Sequence, residues 1–102
     1  MPVFRTKKEA FAWLASGKKT IDVRKGNSRR GEFAVYLSGR NVLKMKIIKR
    51  ETGRLEDIVR LDNYRLIIPT ASILDDAIAY LRELYFGYVG VFSAYYVSQL
   101  EI

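Results

Sequence analysis

The sequence contains no cysteine and no histidine among its 102 residues. Without cysteine there can be no disulfide, no thiolate nucleophile and no cysteine-bound zinc or iron–sulfur cluster. Without histidine the chain lacks the commonest metal ligand and the commonest general base. Any catalysis must therefore use lysine, carboxylate or hydroxyl side chains, or a hard cation on carboxylates. We expect neither a metal nor another cofactor.

Long apolar runs are also missing. The sequence goes from Met1 straight into charged residues at Arg5, Lys7 and Lys8, so no secretory leader is predicted. The longest apolar runs are far shorter than a bilayer span. These features predict a cytoplasmic protein without a membrane partner.

The length and composition predict a single domain over residues 1–102. Nearly half of the residues, 49%, are apolar, which is enough for a buried core. No linker, internal repeat or low-complexity segment interrupts the chain.

Positive charge is unevenly distributed. The formal net charge is +7, but residues 1–54 carry 15 Lys/Arg against 4 Asp/Glu, and residues 55–102 carry 3 against 7. Such an asymmetry indicates a polyanionic partner for the N-terminal half, with RNA or a nucleotide-like ligand as the expected class. The alternative is a solvated basic face, and the abundance of charged residues without cysteine also fits a thermophile.

The patterning predicts about six short strands and two helices. Thr6 and Glu9 match a capping box ahead of a helix over 7–16, and Gly17 suits its left-handed C-cap. Ser72 is the expected N-cap of a second helix over 73–86. The segment 55–61 is ambiguous between a strand and a helical turn. Strands are predicted over residues 2–5, 20–24, 33–37, 42–50, 64–68 and 95–102. We therefore expect a mainly-β α+β fold, a small barrel with two packed helices.

The segment Gly17-x-Lys19-x-x-Asp22-x-Arg24 is the most informative part of the chain. Strand alternation places Asp22 and Arg24 on one face, where the carboxylate can orient the guanidinium group. Lys19 follows the glycine turn at the start of the strand. The alternative is a surface ion pair on an edge strand, which would contribute little stability.

This segment resembles the Gly-x-Lys-x-x-Glu-x-Arg signature of ASCH domains. The context is similar too, with a helix before the motif, a basic loop from Lys25 to Gly31 after it, and a long C-terminal helix followed by an aromatic strand. The resemblance covers nearly the whole chain. It implies a PUA-like barrel of about six strands with a cleft beside the motif strand for RNA or a nucleotide-sized ligand.

The resemblance also implies an alternative, enzymatic function. Some bacterial ASCH members hydrolyse acetylated cytidine with the motif lysine, a threonine at the acid position and a later glutamate. Lys19 matches the lysine, but Asp22 stands at the threonine position and no glutamate can be assigned. In a hydrolase of an acylated nucleoside, Lys19 would act as the base and Asp22 would orient it.

Further candidate binding residues lie outside the motif. The glycines of the Lys25–Gly31 loop, with Arg29 and Arg30, suit a phosphate cradle, although a floppy basic hairpin loop fits equally. Lys44 and Lys46 share a strand face that could form, with Tyr36, a surface for stacked bases, or could only guard an edge strand. Among the C-terminal aromatic residues, we expect core packing for most and assign base contacts to Tyr88 and Tyr95.

The motif carries a geometric prediction. Lys19, Asp22 and Arg24 should converge on one concave pocket, with Asp22 within hydrogen-bonding range of at least one cation. Arg24 should be the orienting cation and Lys19 the more exposed one, because a guanidinium fork pairs with a carboxylate in two contacts.

Overall fold

A computed structural model describes residues 1–100, so the last two residues of the predicted strand 95–102 lie outside the described part. Within residues 1–100 the fold is mixed α+β, with five strands and four helices. In chain order these are β1 (Val3–Arg5), α1 (Lys8–Ser16), β2 (Ile21–Lys25), β3 (Phe33–Ser38), β4 (Asn41–Gly53), α2 (Leu55–Ile58), α3 (Tyr64–Ile67), α4 (Leu74–Leu84) and β5 (Phe92–Gln99).

The five strands form one sheet in the order β1-β3-β4-β5-β2. β1 runs parallel to β3, and the other neighbours are antiparallel. The sheet curls into a half-barrel. The curl brings the Phe4 ring of β1 to 5.2 Å from the Tyr95 ring of β5, although two strands lie between them. A β-bulge between Ile47 and Lys49 interrupts the register of β4 with β5 and increases the local twist.

Two apolar clusters cover the two faces of the sheet, because neighbouring strand residues alternate between faces. The inner cluster fills the curl beneath α1 and consists of Phe4, Leu14, Ala34, Tyr36, Met45, Ile47, Tyr95 and Val97. The outer cluster joins the sheet to α2, α3 and α4, and its β2 members are Ile21 and Val23. Asp22 pairs with Tyr95 across β2 and β5, so Asp22 lies on the inner face.

The strand predicted over 64–68 is wrong. This stretch forms the helical turn α3, which reduces the predicted six strands to five. The ambiguous 55–61 segment takes its helical alternative in α2, so the two predicted helices become four. Tertiary bonds hold this region: Arg60 donates to both carboxylate oxygens of Glu51 on β4 (3.1 and 3.2 Å), and Thr20 donates to the Leu66 carbonyl (3.1 Å).

Both predicted N-terminal helix caps are wrong, whereas the predicted Gly17 C-cap is confirmed. Thr6 and Glu9 form no capping box; the Thr6 hydroxyl donates to the Phe4 carbonyl (3.1 Å), and Glu9 accepts from the Tyr80 hydroxyl. Helix α4 begins after Ile73 rather than Ser72 and has no side-chain N-cap bond. Glu9 thus has a long-range partner in place of the local one that the sequence pattern favours.

In the part of the chain that the structure describes, no helix is both long and apolar enough to cross a membrane.

Candidate functional site

The turn after α1 sets the direction of Lys19. Gly17 ends the helix in the left-handed conformation (φ 82°), which glycine adopts without steric cost. The amide of Lys19 then donates to the Trp13 carbonyl (3.0 Å), which folds the chain back against the helix. The Lys19 side chain therefore lies on the same side as Asp22 despite the odd spacing of the two residues.

Lys19 is a buried cation. Its Nζ donates to the carbonyl oxygens of Ile21 (2.8 Å) and Ile67 (2.5 Å) and lies 3.9 Å from Asp22 Oδ1. Burial lowers the pKa of Lys19 to about 8; Asp22 opposes this shift and Arg24 adds to it. The lysine ammonium is thus held by main-chain oxygens and is close to losing its proton near neutral pH.

Asp22 and Arg24 form the ion pair that the alternation predicts. Arg24 Nε donates to Asp22 Oδ2 at 2.6 Å. Burial acts against the Arg24 cation, but the charge and hydrogen bond of Asp22 raise its pKa above the usual value. The predicted order of exposure is wrong: the Lys19 side chain is 4% exposed and that of Arg24 is 19% exposed. Lys19 is the less exposed cation because its ammonium donates to two buried main-chain carbonyls.

Arg24 also joins the two edges of the curled sheet. Its Nη1 donates to the Arg5 carbonyl (2.9 Å) and its Nη2 to the Thr6 hydroxyl (3.2 Å), both at the end of β1. The guanidinium carbon lies 4.6 Å from the centre of the Phe4 ring, within cation–π range. Because β1 and β2 are the two edge strands, this side chain closes the gap in the half-barrel.

The three motif residues line one cavity of about 200 Å³, which we call the motif pocket. Its walls come from the end of β1, from α1, from β2 and from α4. The other lining residues are Arg5, Thr6, Lys7, Ala10, Trp13, Val23, Ile68, Tyr80, Leu81, Leu84 and Tyr85. The pocket therefore combines four cations (Arg5, Lys7, Lys19 and Arg24) and one carboxylate with an aromatic wall.

The free edge of β2 forms part of this pocket. The Val97 amide donates to the Thr20 carbonyl and the Gly26 amide to the Val91 carbonyl. The main-chain N–H and C=O groups of the even-numbered residues of β2 therefore point towards β5. The main-chain groups of the odd-numbered residues point away from the sheet edge. There the Lys19 ammonium donates to the Ile21 carbonyl, and the Tyr85 hydroxyl donates to the Val23 carbonyl (3.0 Å). The same alternation turns the Val23 amide towards the pocket as a main-chain donor.

Tyr36 belongs to the interior of the half-barrel and is fully buried. Its hydroxyl has no hydrogen-bond partner in the described part of the chain. Burial, and then the nearby Asp22 charge, raise the pKa of this phenol. The predicted stacking surface of Tyr36 with Lys44 and Lys46 is wrong, because Lys44 pairs with Val35 and its Nζ lies 4.4 Å over the Phe33 ring. Lys44 and Lys46 are exposed on the opposite face of the sheet.

A second cavity, of about 240 Å³, adjoins the motif pocket on the other side of Arg24; we call it the basic pocket. Arg5, Arg24 and Tyr85 line both cavities. Its remaining lining residues are Val3, Phe4, Lys25, Asn27, Arg29 and Tyr95, which include no carboxylate. Four cations thus face one cavity between β1 and the loop after β2.

Several contacts fix the loop over residues 26–32 in place. The Arg29 amide donates to the buried Tyr95 hydroxyl (2.7 Å), and Arg50 of β4 donates to the carbonyls of Arg29 (3.0 Å) and Gly31. At Gly31 (φ 135°) a Cβ atom would lie 3.0 Å from Pro2 Cδ, so only glycine fits without adjustment. These contacts favour a defined loop over the alternative of a floppy one. Arg30 is exposed beside the basic pocket but does not line it.

The two tyrosines assigned to base contacts have different surroundings. Tyr95 is buried in the inner cluster and lines the basic pocket, and its hydroxyl accepts from the Arg29 amide. Tyr88 is half-buried, packs edge-on against Phe92 (5.3 Å) and lies beneath the Lys25 ammonium (4.9 Å). Neither ring lines the motif pocket.

The aromatic wall of the motif pocket was not predicted from the sequence. Trp13 comes from α1, and Tyr80 and Tyr85 come from α4. The single available signal is that Trp13 lies off the apolar stripe of its helix, an unusual place for a large aromatic residue. No pattern in the sequence predicts that α4 lies beside β2.

Comparisons with known proteins extend this description only to the fold. No protein-family model matches the chain, and no curated protein matches it. Among solved structures, the fold is similar to the crystal structure of the hypothetical protein PH0355, with a TM-score of 0.74. The similarity covers 96% of this chain and 97% of that one at 14% identity. At this level of identity the likeness shows a shared fold alone.

Proposed function

We propose that this protein is a small ASCH domain of PUA-like fold that binds RNA, or a nucleotide-sized ligand, at the motif pocket. The observation that carries the proposal is the convergence of Lys19, Asp22 and Arg24 on one aromatic-walled cavity. An ion pair with a purely structural role would not need a cavity beside it. The Gly17–Arg24 motif and its context remain the basis of the family assignment.

The size of the pocket favours one base as the group that enters. About 200 Å³ is below the roughly 300 Å³ at which sites for whole small ligands begin. A base is flat and carries polar atoms at its edge, so it suits a wall of Trp13, Tyr80 and Tyr85. Asp22 and the outward-facing Val23 amide provide an acceptor and a donor for that edge.

The basic pocket supports the nucleotide class of ligand. The basic pocket adjoins the motif pocket at Arg24, so phosphate attached to a base in the motif pocket can lie beside Arg5, Lys25 and Arg29. Arginine and lysine side chains supply most of the affinity of proteins for nucleic-acid phosphates. We assign the base to the motif pocket and the phosphate to the basic pocket.

A pocket-filling substitution tests this assignment without removing a charge. Ala10 lines the motif pocket, whereas Ala12 is exposed on the same helix and does not. Calorimetric titration with the four mononucleotides should show a loss of affinity of at least tenfold in Ala10→Phe and none in the matched control Ala12→Phe. Equal affinities of the two variants and the wild type would exclude the pocket as the binding site.

The burial of Lys19 favours a second candidate, hydrolysis of an acylated nucleoside. A pKa of about 8 leaves a useful fraction of neutral amine at neutral pH. The neutral amine keeps its two bonds to the Ile21 and Ile67 carbonyls and has its lone pair free to take a proton from water. Against this function, Asp22 occupies the threonine position and is engaged by Arg24.

Incubation with N4-acetylcytidine tests the second candidate. A hydrolase should release cytidine, at a rate that increases as the pH rises through about 8, where Lys19 loses its proton. The activity should disappear in Lys19→Ala. No release by the wild type, or release that survives Lys19→Ala, would reject the catalytic role of Lys19.

A further inference from the structure

Phe86 has two properties that count against stability. Its side chain is 97% exposed, more than any other large hydrophobic residue in the described part of the chain. It is also the one non-glycine residue with a positive φ (54°) among residues 1–100. A bulky residue in the left-handed region is strained, and an exposed ring gains nothing from burial.

The strain follows from the way α4 ends. The Gly87 amide donates to the Arg82 carbonyl (2.8 Å) and the Phe86 amide to the Glu83 carbonyl (3.2 Å). These two bonds define a Schellman motif, and Phe86 occupies the left-handed position that glycine usually takes. The nearest glycine stands one residue later. Glycine at this position would stabilise the fold more than phenylalanine does, because it adopts the left-handed conformation without strain.

Phe86 stands at the outer end of the motif pocket. A cleft of about 580 Å³ is lined by Lys7, Tyr80, Glu83, Leu84 and Phe86. Lys7, Tyr80 and Leu84 also line the motif pocket, so the cleft continues the pocket outwards. The ring is therefore presented to solvent at the mouth of the proposed binding site.

We propose that Phe86 is a stacking platform for the base next to the one held in the motif pocket, so that the ligand is a single-stranded RNA rather than a free nucleotide. This inference rests on the proposed function. Stacking on an exposed ring suits any base, because every base has a flat face. The cleft continues into the motif pocket, whose lining includes Arg5, Lys7, Lys19 and Arg24 against the single carboxylate of Asp22. This excess of cations favours a polyanion over an apolar protein surface as the occupant, despite Glu83 at the cleft.

Comparing the affinities for mononucleotides and homotrinucleotides separates stacking on Phe86 from binding in the motif pocket. Phe86→Ala should bind trinucleotides about 5-fold to 150-fold more weakly than the wild type, since stacking of one base is worth ~1–3 kcal/mol. It should bind mononucleotides as the wild type does. Val89→Ala is the matched control, because Val89 is 79% exposed in the same loop and does not line the cleft. It should change neither affinity.

The possible results separate the two proposals. If mononucleotides bind and Phe86→Ala leaves trinucleotide binding unchanged, the platform is wrong and the proposed function stands. If Phe86→Ala weakens both ligands equally, Phe86 supports the pocket and is not a platform. Failure of the wild type to bind any of these ligands rejects both proposals.

A stability measurement tests whether the left-handed conformation of Phe86 destabilises the fold. Phe86→Gly should raise the melting temperature by about 4 °C or more, because it relieves the left-handed strain, while weakening trinucleotide binding as Phe86→Ala does. A lower melting temperature in Phe86→Gly would mean that the ring stabilises the fold and would overturn the inference.

Discussion

At the scale of single residues, Lys19 has the most unusual environment in the site. A lysine ammonium normally snorkels to water, whereas this one is enclosed and donates to two main-chain carbonyls. Its burial lowers its pKa to about 8 from the ordinary 10.5. The folded chain therefore binds this proton less tightly than the unfolded chain does, which links stability to pH.

The sign of this linkage gives a prediction. Between pH 8 and pH 10.5 the unfolded chain holds the Lys19 proton and the folded chain has largely lost it, so unfolding becomes harder as the pH rises. The free energy of unfolding of the wild type should gain about 2 kcal/mol relative to Lys19→Met between about pH 8 and pH 10. Urea denaturation of both proteins at each pH measures this difference.

Tyr85, whose pKa burial raises to about 12, does not titrate in that window. Parallel stability curves for the wild type and Lys19→Met would show that the ammonium is hydrated in the folded protein and would contradict its burial.

At the scale of elements, Arg24 links β2 to the end of β1. It is the partner of the buried carboxylate of Asp22 and the donor to Arg5 and Thr6 across the open side of the half-barrel. Removing it leaves Asp22 as a buried charge with Lys19 3.9 Å away. Breaking such a pair is costly because the buried carboxylate loses its hydrogen-bonded partner, and Lys19 at 3.9 Å is too distant for a hydrogen bond.

We therefore expect Arg24→Ala to lower the free energy of unfolding by about 3 kcal/mol. Lys25 lies next in the same strand and is exposed, so Lys25→Ala is the control and should change stability by less than about 0.5 kcal/mol. Thermal or chemical denaturation compares the two. A similar, small effect of both substitutions would show that Arg24 does not close the half-barrel.

The sequence predicts the regular elements well where the pattern is long and local. The alternation of residues 20–24 and 33–37, the helix over 7–16 and its Gly17 cap all correspond to elements of the structure. The sequence pattern leaves 55–61 open and wrongly assigns 64–68 to a strand, because a short apolar stretch fits both periodicities. Two bonds join this segment to residues outside it: Arg60 donates to the Glu51 carboxylate, and the Leu66 carbonyl accepts from the Thr20 amide.

The candidate site was predictable only in part for the same reason. The motif identifies one wall, since Lys19, Asp22 and Arg24 lie within six consecutive residues. The opposite wall comes from α4, about 60 residues later, and its position depends on packing of the outer cluster. Thr6 shows the limit of local rules, because its hydroxyl binds Arg24 rather than capping the helix that follows it.

At the scale of the whole molecule, two basic surfaces are candidates for binding a polyanion. One surrounds the basic pocket, with Arg29 lining it and Arg30 beside it; the other is the stripe of Lys44 and Lys46 on β4. The proposed function places phosphates at the first surface alone. Both surfaces are exposed to solvent, so charge by itself does not distinguish them.

Paired charge reversals distinguish the two surfaces. Arg29→Glu with Arg30→Glu should weaken binding of all RNA sequences alike and reduce the slope of log K against log salt by about 1 to 2, since each lost phosphate contact removes about one released counterion. Lys44→Glu with Lys46→Glu should leave the slope nearly unchanged. A larger effect of the β4 pair would move the phosphate path to the other face of the sheet.

The most direct test of nucleotide binding at the motif pocket uses Trp13, the only tryptophan in the chain, which lines that pocket. Its fluorescence reports on that pocket without any substitution. Titration with homotrinucleotides at low salt should quench Trp13 saturably, with the same midpoint as calorimetry, because a base enters beside the indole. RNA binding that leaves Trp13 fluorescence unchanged, or no binding of any RNA at low salt, would contradict the assignment of the motif pocket as the nucleotide site.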